Sequence, residues 1–256
     1  MEEKTIIFIN EVYIDLLNKS DCNQNILKRV KLINRLLKEQ YAEEIYVLSR
    51  STYEETMKEL VAICEPQFKA DVKTQPGEFR NKVIDNINTL FGECIIDSQM
   101  IKGTYDYLSK TTHESMIKRL LCDLASNEKA KYATECNTHF VLCTIIYIYL
   151  CHLYKDNKVL EFINKLFIKG MDEMFIATFN FLIKLTPAER EYYKGYFITQ
   201  RDVKLLNEKT EEIHNAILEI DNEIHEDEPI YNLDDIDRLI EENGYKDLYH
   251  KIILNK

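Results

Sequence analysis

The chain has 256 residues, 45% of them apolar, and a formal net charge of −11; it can bury a large core as one extended domain or two small ones. Between Glu208 and Glu242, 14 acids stand against only Lys209 and Arg238, so this segment carries essentially all of the net charge and the rest of the chain is near neutral. That balance argues against broad binding to nucleic acid, which needs clustered Lys and Arg to displace counterions.

The chain contains only six glycines and four prolines, and apolar residues recur at three- and four-residue steps, with no strictly alternating β-branched stretch. The pattern predicts an all-α protein. A first helix is expected from about Lys4 to Asn18. A second follows Ser20-Asp21, with Asp21 as cap and Gln24 returning the bond, and carries the stripe Ile26, Val30, Ile33 and Leu37. Lys28, Arg29, Lys31, Arg35 and Lys38 spread around the rest of that helix, as on an ordinary solvated face.

A third helix, from about Glu43 to Cys64, ends at Glu65-Pro66, because the residue before proline avoids helical geometry. Pro66 to Gly77 is a loop. Helices are then expected from Glu78 to Ile96, from Ser98 to Lys110, and from Thr112 to Ser126, the last restarted by a capping box in Thr111-Thr112-His113-Glu114. Lys131 to Leu153 predicts the most buried helix. Its most apolar part, Phe140 to Leu153, is shorter than a bilayer requires and contains Thr144, Cys151 and His152, so a core helix rather than a membrane span is expected.

Lys155-Asp156-Asn157 forms a turn into Lys158 to Lys184, which Gly170 divides in two. Thr186-Pro187-Ala188-Glu189 is a strong helix start, leading past Leu218. A last helix, Leu233 to Asn243, is followed by Tyr245 to Leu254 as a candidate tenth. Short loops between consecutive helices predict antiparallel neighbours, hence a bundle of about nine helices over residues 1–220 and an acidic extension with a short helix over 221–256. Seven cysteines without regular spacing, behind an N-terminus unlike a signal peptide, predict a reducing, cytoplasmic setting.

Little in the sequence suggests catalysis. No phosphate-cradling Gly loop, Gly-x-Ser-x-Gly, Cys-x-x-Cys or His-Glu-x-x-His is present, so no catalytic residue, metal or cofactor is expected. Cys136, His139 and Cys143 share a helical face at a spacing a metal could use, but buried cysteines more often act as small hydrophobes. Asp234, Asp235 and Asp237 resemble a magnesium-binding cluster, yet acids at the start of a helix also serve its dipole.

The stretch Met100-Ile-Lys-Gly-Thr-Tyr-Asp-Tyr-Leu-Ser-Lys110 resembles the central 14-3-3 motif, Met-Lys-Gly-Asp-Tyr-Tyr-Arg-Tyr-Leu-Ala-Glu, one residue shorter in the middle. Glu43-Glu44 followed by Leu48-Ser49 and Tyr53, and Leu185-Thr186 followed by Arg201-Asp202, resemble two further landmarks of that family in the same order. The resemblance implies a cup-shaped homodimer joined through its N-terminal helices, a signalling adaptor whose grooves bind phosphoserine or phosphothreonine peptides.

Carried over residue by residue, it matches Tyr107 to the family's phosphate-binding Tyr, Lys102 to the Lys of the central motif, and Arg201 and Asp202 to the Arg-Asp of the last helix, all as peptide-binding positions. It also marks departures: Asp106 stands where the motif has Arg, Glu54 where the family has Lys, Val61 near its other Arg, and Val203 where it has a peptide-binding Asn, whose second counterpart falls near Thr144. Acids in place of bases repel a phosphate, so binding of partner peptide segments is expected with or without a phosphate on them. The alternative is an unrelated all-helical interaction factor of the viral or parasite host-binding type. Neither nucleic acid nor membrane is an expected partner.

Overall fold

The computed structural model describes residues 2–39, 42–69, 74–92, 94–112, 128–182, 185–188 and 234–254. Among the described residues there are ten helices and no strand: α1 Glu2–Lys19, α2 Gln24–Glu39, α3 Ala42–Cys64, α4 Pro76–Asp85, α5 Ile87–Phe91, α6 Ser98–Thr111, α7 Glu128–Leu153, α8 Val159–Leu182, α9 Asp234–Glu242 and α10 Lys246–Ile252. The all-α expectation holds. The helix expected after Thr112, and the one running from Thr186 past Leu218 beyond its first residues, lie outside the described residues.

The core is built on α7. Val141 through Cys151 are all buried, so this helix is enclosed on every side, with α1, α2, α3 and α8 packed around it. Glu135–Leu153 has the length and composition of a membrane span, longer than the Phe140–Leu153 run suggests, but 78% of that stretch is buried inside the fold, as in a core helix. A column of rings joins the centre: Tyr147 stacks on Phe167 at 3.9 Å, and Phe140 and Tyr13 lie 5.5 and 6.4 Å from the nearest ring of that pair.

The N-terminal helix is enclosed as well. Ile6, Phe8, Ile9, Val12, Tyr13, Ile14, Leu16 and Leu17 of α1 are buried within the chain, against α7, α8, α2 and α10. Helix α2, by contrast, shows one buried stripe of Ile26, Leu27, Val30, Ile33 and Leu37 and a basic outer face. Its cap is not Asp21: the Asn23 side-chain oxygen accepts from the Asn25 N–H at 2.9 Å, because the helix begins at Gln24 and only Asn23 reaches the first free donors.

Two breaks differ from expectation. The helix predicted from Glu78 to Ile96 is two, α4 and α5, because the Asn86 amide donates to the Lys82 carbonyl at 2.9 Å and to Glu65 Oε1 at 3.2 Å, offering the chain an alternative to helical bonding. Gly92, at φ +60°, then ends α5. Conversely, Gly170 does not divide α8, which runs unbroken from Val159 to Leu182. A Cβ at Gly170 would lie 3.1 Å from Ile9 Cδ1, so the missing side chain lets α8 approach α1.

At the C-terminus, Asn243-Gly244 closes α9: the Tyr245 N–H reaches the Ile240 carbonyl at 2.8 Å and Gly244 takes φ +80°. The α9–α10 pair then seats on α1 and α8. Tyr245 stacks on Phe162 at 5.9 Å and donates to Asp15 at 2.8 Å, while Tyr249 meets Phe8 edge-on at 5.3 Å. Ile240 and Tyr245 thus belong to the same core as the helices before them.

Candidate functional site

Lys102 and Asp106 of the central motif fall on a face made by α3, α4 and α6. Tyr53 fastens two of these helices: its buried hydroxyl donates to the Ile101 carbonyl at 2.7 Å, and burial pushes its pKa up. Val47, Arg50, Glu54 and Lys58 follow one stripe of α3, with steps of three to four residues. Across from them, α4 contributes Phe79, Arg80 and Lys82, and α6 contributes Lys102, Tyr105 and Asp106.

Bases and rings alternate on this face. The Arg80 guanidinium lies 4.8 Å from the Tyr105 ring centre, Lys82 Nζ 4.3 Å from that of Phe68, and Lys58 Nζ 5.8 Å from that of Phe79. Each such contact is worth about 0.5–1 kcal/mol at an exposed site. The same bases also meet acids. Arg50 Nε is 3.0 Å from Glu54 Oε1, and its Nη1 donates to Thr112 Oγ1 at 2.8 Å. Arg80 Nη1 is 3.9 Å from Asp106, Lys58 is 4.0 Å from Glu55, and Lys82 bonds Glu65, whose carboxyl it holds below its ordinary pKa.

Glu54 and Asp106, expected to repel a phosphate, are therefore the partners of the two arginines that would otherwise attract one. Lys102 is exposed on α6, one turn from Asp106. Tyr107 is not grouped with them. Its ring lies 6.4 Å from that of Tyr46, to which it is hydrogen-bonded, and Tyr46 in turn bonds Thr138 Oγ1 of α7 at 2.8 Å. Tyr107 thus joins α6 to the interior, and burial pushes its hydroxyl pKa well up.

Val61 is buried on α3, and Thr144 is buried in α7 with its hydroxyl donating to the Phe140 carbonyl at 2.9 Å, so neither reaches a surface. Arg201, Asp202 and Val203 lie outside the described residues. The chain matches no family model, no curated protein and no solved structure. What this face does rests on its own geometry.

The other two clusters serve packing. Cys136 and Cys143 are buried in α7, and burial pushes the Cys143 thiol up. His139 between them is 4% exposed, its Nδ1 has no hydrogen-bond partner, and desolvation, helped by Lys38, pulls its pKa down to about 4. Among the described residues, no group of three or more His, Cys, Asp or Glu side chains is placed to hold a metal. Asp235 accepts from Lys165 of α8 at 3.3 Å and from Arg238 at 3.1 Å, bonds that hold its carboxyl below its ordinary pKa and fasten α9 to α8.

Arg80 was not singled out by any motif. Its signal was the close succession of rings and bases in Phe68, Phe79, Arg80 and Lys82, which the family pattern passes over.

Proposed function

We propose that this chain is an adaptor that binds partner peptide segments along the α3–α4–α6 face without requiring phosphate. The observation that carries this reading is the pairing of Arg50 with Glu54 and of Arg80 with Asp106. A phosphate dianion binds where several charged donors converge uncompensated. Here Glu54 lies 3.0 Å from Arg50 and Asp106 3.9 Å from Arg80, so a phosphate at either arginine would sit beside a carboxylate, at a cost on the order of 1 kcal/mol per acid on a partly screened surface. A peptide of mixed charge meets no such penalty, and Val47, 53% exposed on the same stripe of α3, offers it an apolar anchor.

Fluorescence-anisotropy titration with a phosphoserine peptide and its unphosphorylated twin tests the reading. Equal binding of the two supports it, and a clear preference for the phosphopeptide sinks it.

The packing of α1 favours a second statement about kind. A dimer joined through N-terminal helices needs apolar surface on those helices, and α1 spends its own on α7, α8 and α10. This favours an all-helical interaction protein unrelated to the 14-3-3 family over a 14-3-3 relative. A stable homodimer whose interface maps to α1 by cross-linking would reverse that preference.

A further inference from the structure

We propose that the C-terminal hairpin α9–α10 is an exchangeable strap, and that the face of α1 and α8 beneath it is an interaction surface for the same hairpin of a second copy of this chain. The hairpin carries its own internal fastening. The Tyr245 N–H reaches the Ile240 carbonyl at 2.8 Å, the Gly244 N–H reaches the Glu241 carbonyl at 3.0 Å, and Lys246 Nζ lies 2.7 Å from Glu241 Oε1. These bonds do not depend on where the hairpin is docked.

Its grip on the body uses few side chains. Among the described residues of the hairpin, Ile240 and Tyr245 are buried, and α10 itself has no buried residue. Tyr245 is the plug: its ring stacks on Phe162 of α8 at 5.9 Å, its hydroxyl donates to Asp15 of α1 at 2.8 Å, and Lys19 Nζ lies 5.2 Å from its ring centre. Lys165 of α8 pairs with Asp235 at 3.3 Å, and Tyr249 meets Phe8 of α1 at 5.3 Å. All of these are side-chain contacts that a hairpin from another copy reproduces atom for atom.

The length of chain leading to the hairpin leaves the choice of body open. Residues 189–233 lie between Ala188 and the start of α9. That length spans about 150 Å fully extended and about 70 Å even as one continuous helix, against a radius of gyration of about 18 Å for a domain of this size. The covalent connection therefore does not dictate which copy's α1 and α8 the hairpin covers.

An undocked hairpin leaves the rings of Phe8 and Phe162, both buried in the closed chain, open to water, and redocking or exchange relieves that cost. Exchange between two copies fills both faces with both hairpins and closes the pair with twofold symmetry. Concentration decides between the two. Attachment in the same chain gives the hairpin an effective concentration at or below the order of 1 mM, so the single copy prevails well below that and exchange appears as the protein approaches it. In the exchanged pair α1 meets the hairpin of the second copy and never a second α1, which distinguishes it from a dimer of paired N-terminal helices.

The test is an equal mixture of unlabelled and 15N-labelled full-length chain, equilibrated at about 10 µM and at about 1 mM, treated with a zero-length carbodiimide cross-linker and mapped by mass spectrometry. The Lys165–Asp235 pair reports the docked hairpin, and the Lys82–Glu65 pair, between α4 and the end of α3, reports the body. The expected result is a Lys165–Asp235 link that becomes mixed in isotope at the higher concentration, toward one half of the linked peptide at full exchange, while the Lys82–Glu65 link stays within one isotope. Lys165–Asp235 links of a single isotope at both concentrations, or mixing that extends equally to Lys82–Glu65, would overturn the proposal.

Discussion

The hydroxyl of Tyr13, in the middle of α1, donates to the Ile163 carbonyl of α8 at 2.7 Å, across 150 residues of chain. Tyr13 is fully buried, and its ring is stacked on Tyr147 of α7, so one side chain joins the first helix to the central hairpin. It is one of the contacts, with the buried Ile6, Phe8, Ile9, Val12 and Leu17, that hold α1 inside the molecule.

Y13F keeps the ring and removes the bond. Because the Ile163 carbonyl sits within α8 and retains its helical environment, the loss should be about 1 kcal/mol. Urea denaturation should show a lower midpoint with an unchanged slope. No change in midpoint would mean that the hydroxyl contributes nothing to holding α1 in place.

Two glycines within helices should respond in opposite directions to alanine. Gly103 in α6 meets no atom within 4 Å of a built Cβ, so G103A should stabilise by up to about 1 kcal/mol through helix propensity. At Gly170 the new Cβ would lie 3.1 Å from Cδ1 of Ile9, itself fully buried, so G170A should destabilise by about 1–3 kcal/mol despite the same propensity gain. Paired thermal melts check the contrast.

Acid should weaken the fold through His139. Its pKa is pulled down to about 4 in the folded chain, against about 6.5 unfolded, so in that window the unfolded state binds more protons. The stability that His139 contributes is complete above pH ~6.5 and is lost as pH falls toward 4, by about 3 kcal/mol at the limit. H139L, which replaces an imidazole whose Nδ1 has no partner, should flatten the curve there. An unchanged slope in the variant would show that other groups carry it.

Much of the helical layout was legible in the sequence, because it depends on local signals. The stripe of α2 and the stop of α3 before Glu65-Pro66 follow from periodicity and proline geometry alone. The break at Asn86 was not legible, since it depends on Glu65 arriving from another helix. Gly170 reads as a breaker in isolation and as a close-approach residue only once Ile9 is beside it. At the candidate site, the carboxylates Glu54 and Asp106 stood out as reversals of a pattern, but their arginine partners could not be assigned without the relative placement of α3, α4 and α6. Tyr107 looked like a ligand-facing ring and instead meets Tyr46, because which side of α6 faces inward is set by α3 and α7.

The central claim is that Glu54 and Asp106 neutralise Arg50 and Arg80 and thereby make the face indifferent to phosphate. Its most direct test is anisotropy titration of wild type and E54Q/D106N with a phosphoserine peptide and its unphosphorylated twin. The prediction is no phosphate preference in the wild type and a gain on the order of tenfold in the variant, as two arginines are released. A wild type that already prefers the phosphopeptide, or a variant that gains nothing, would contradict the account.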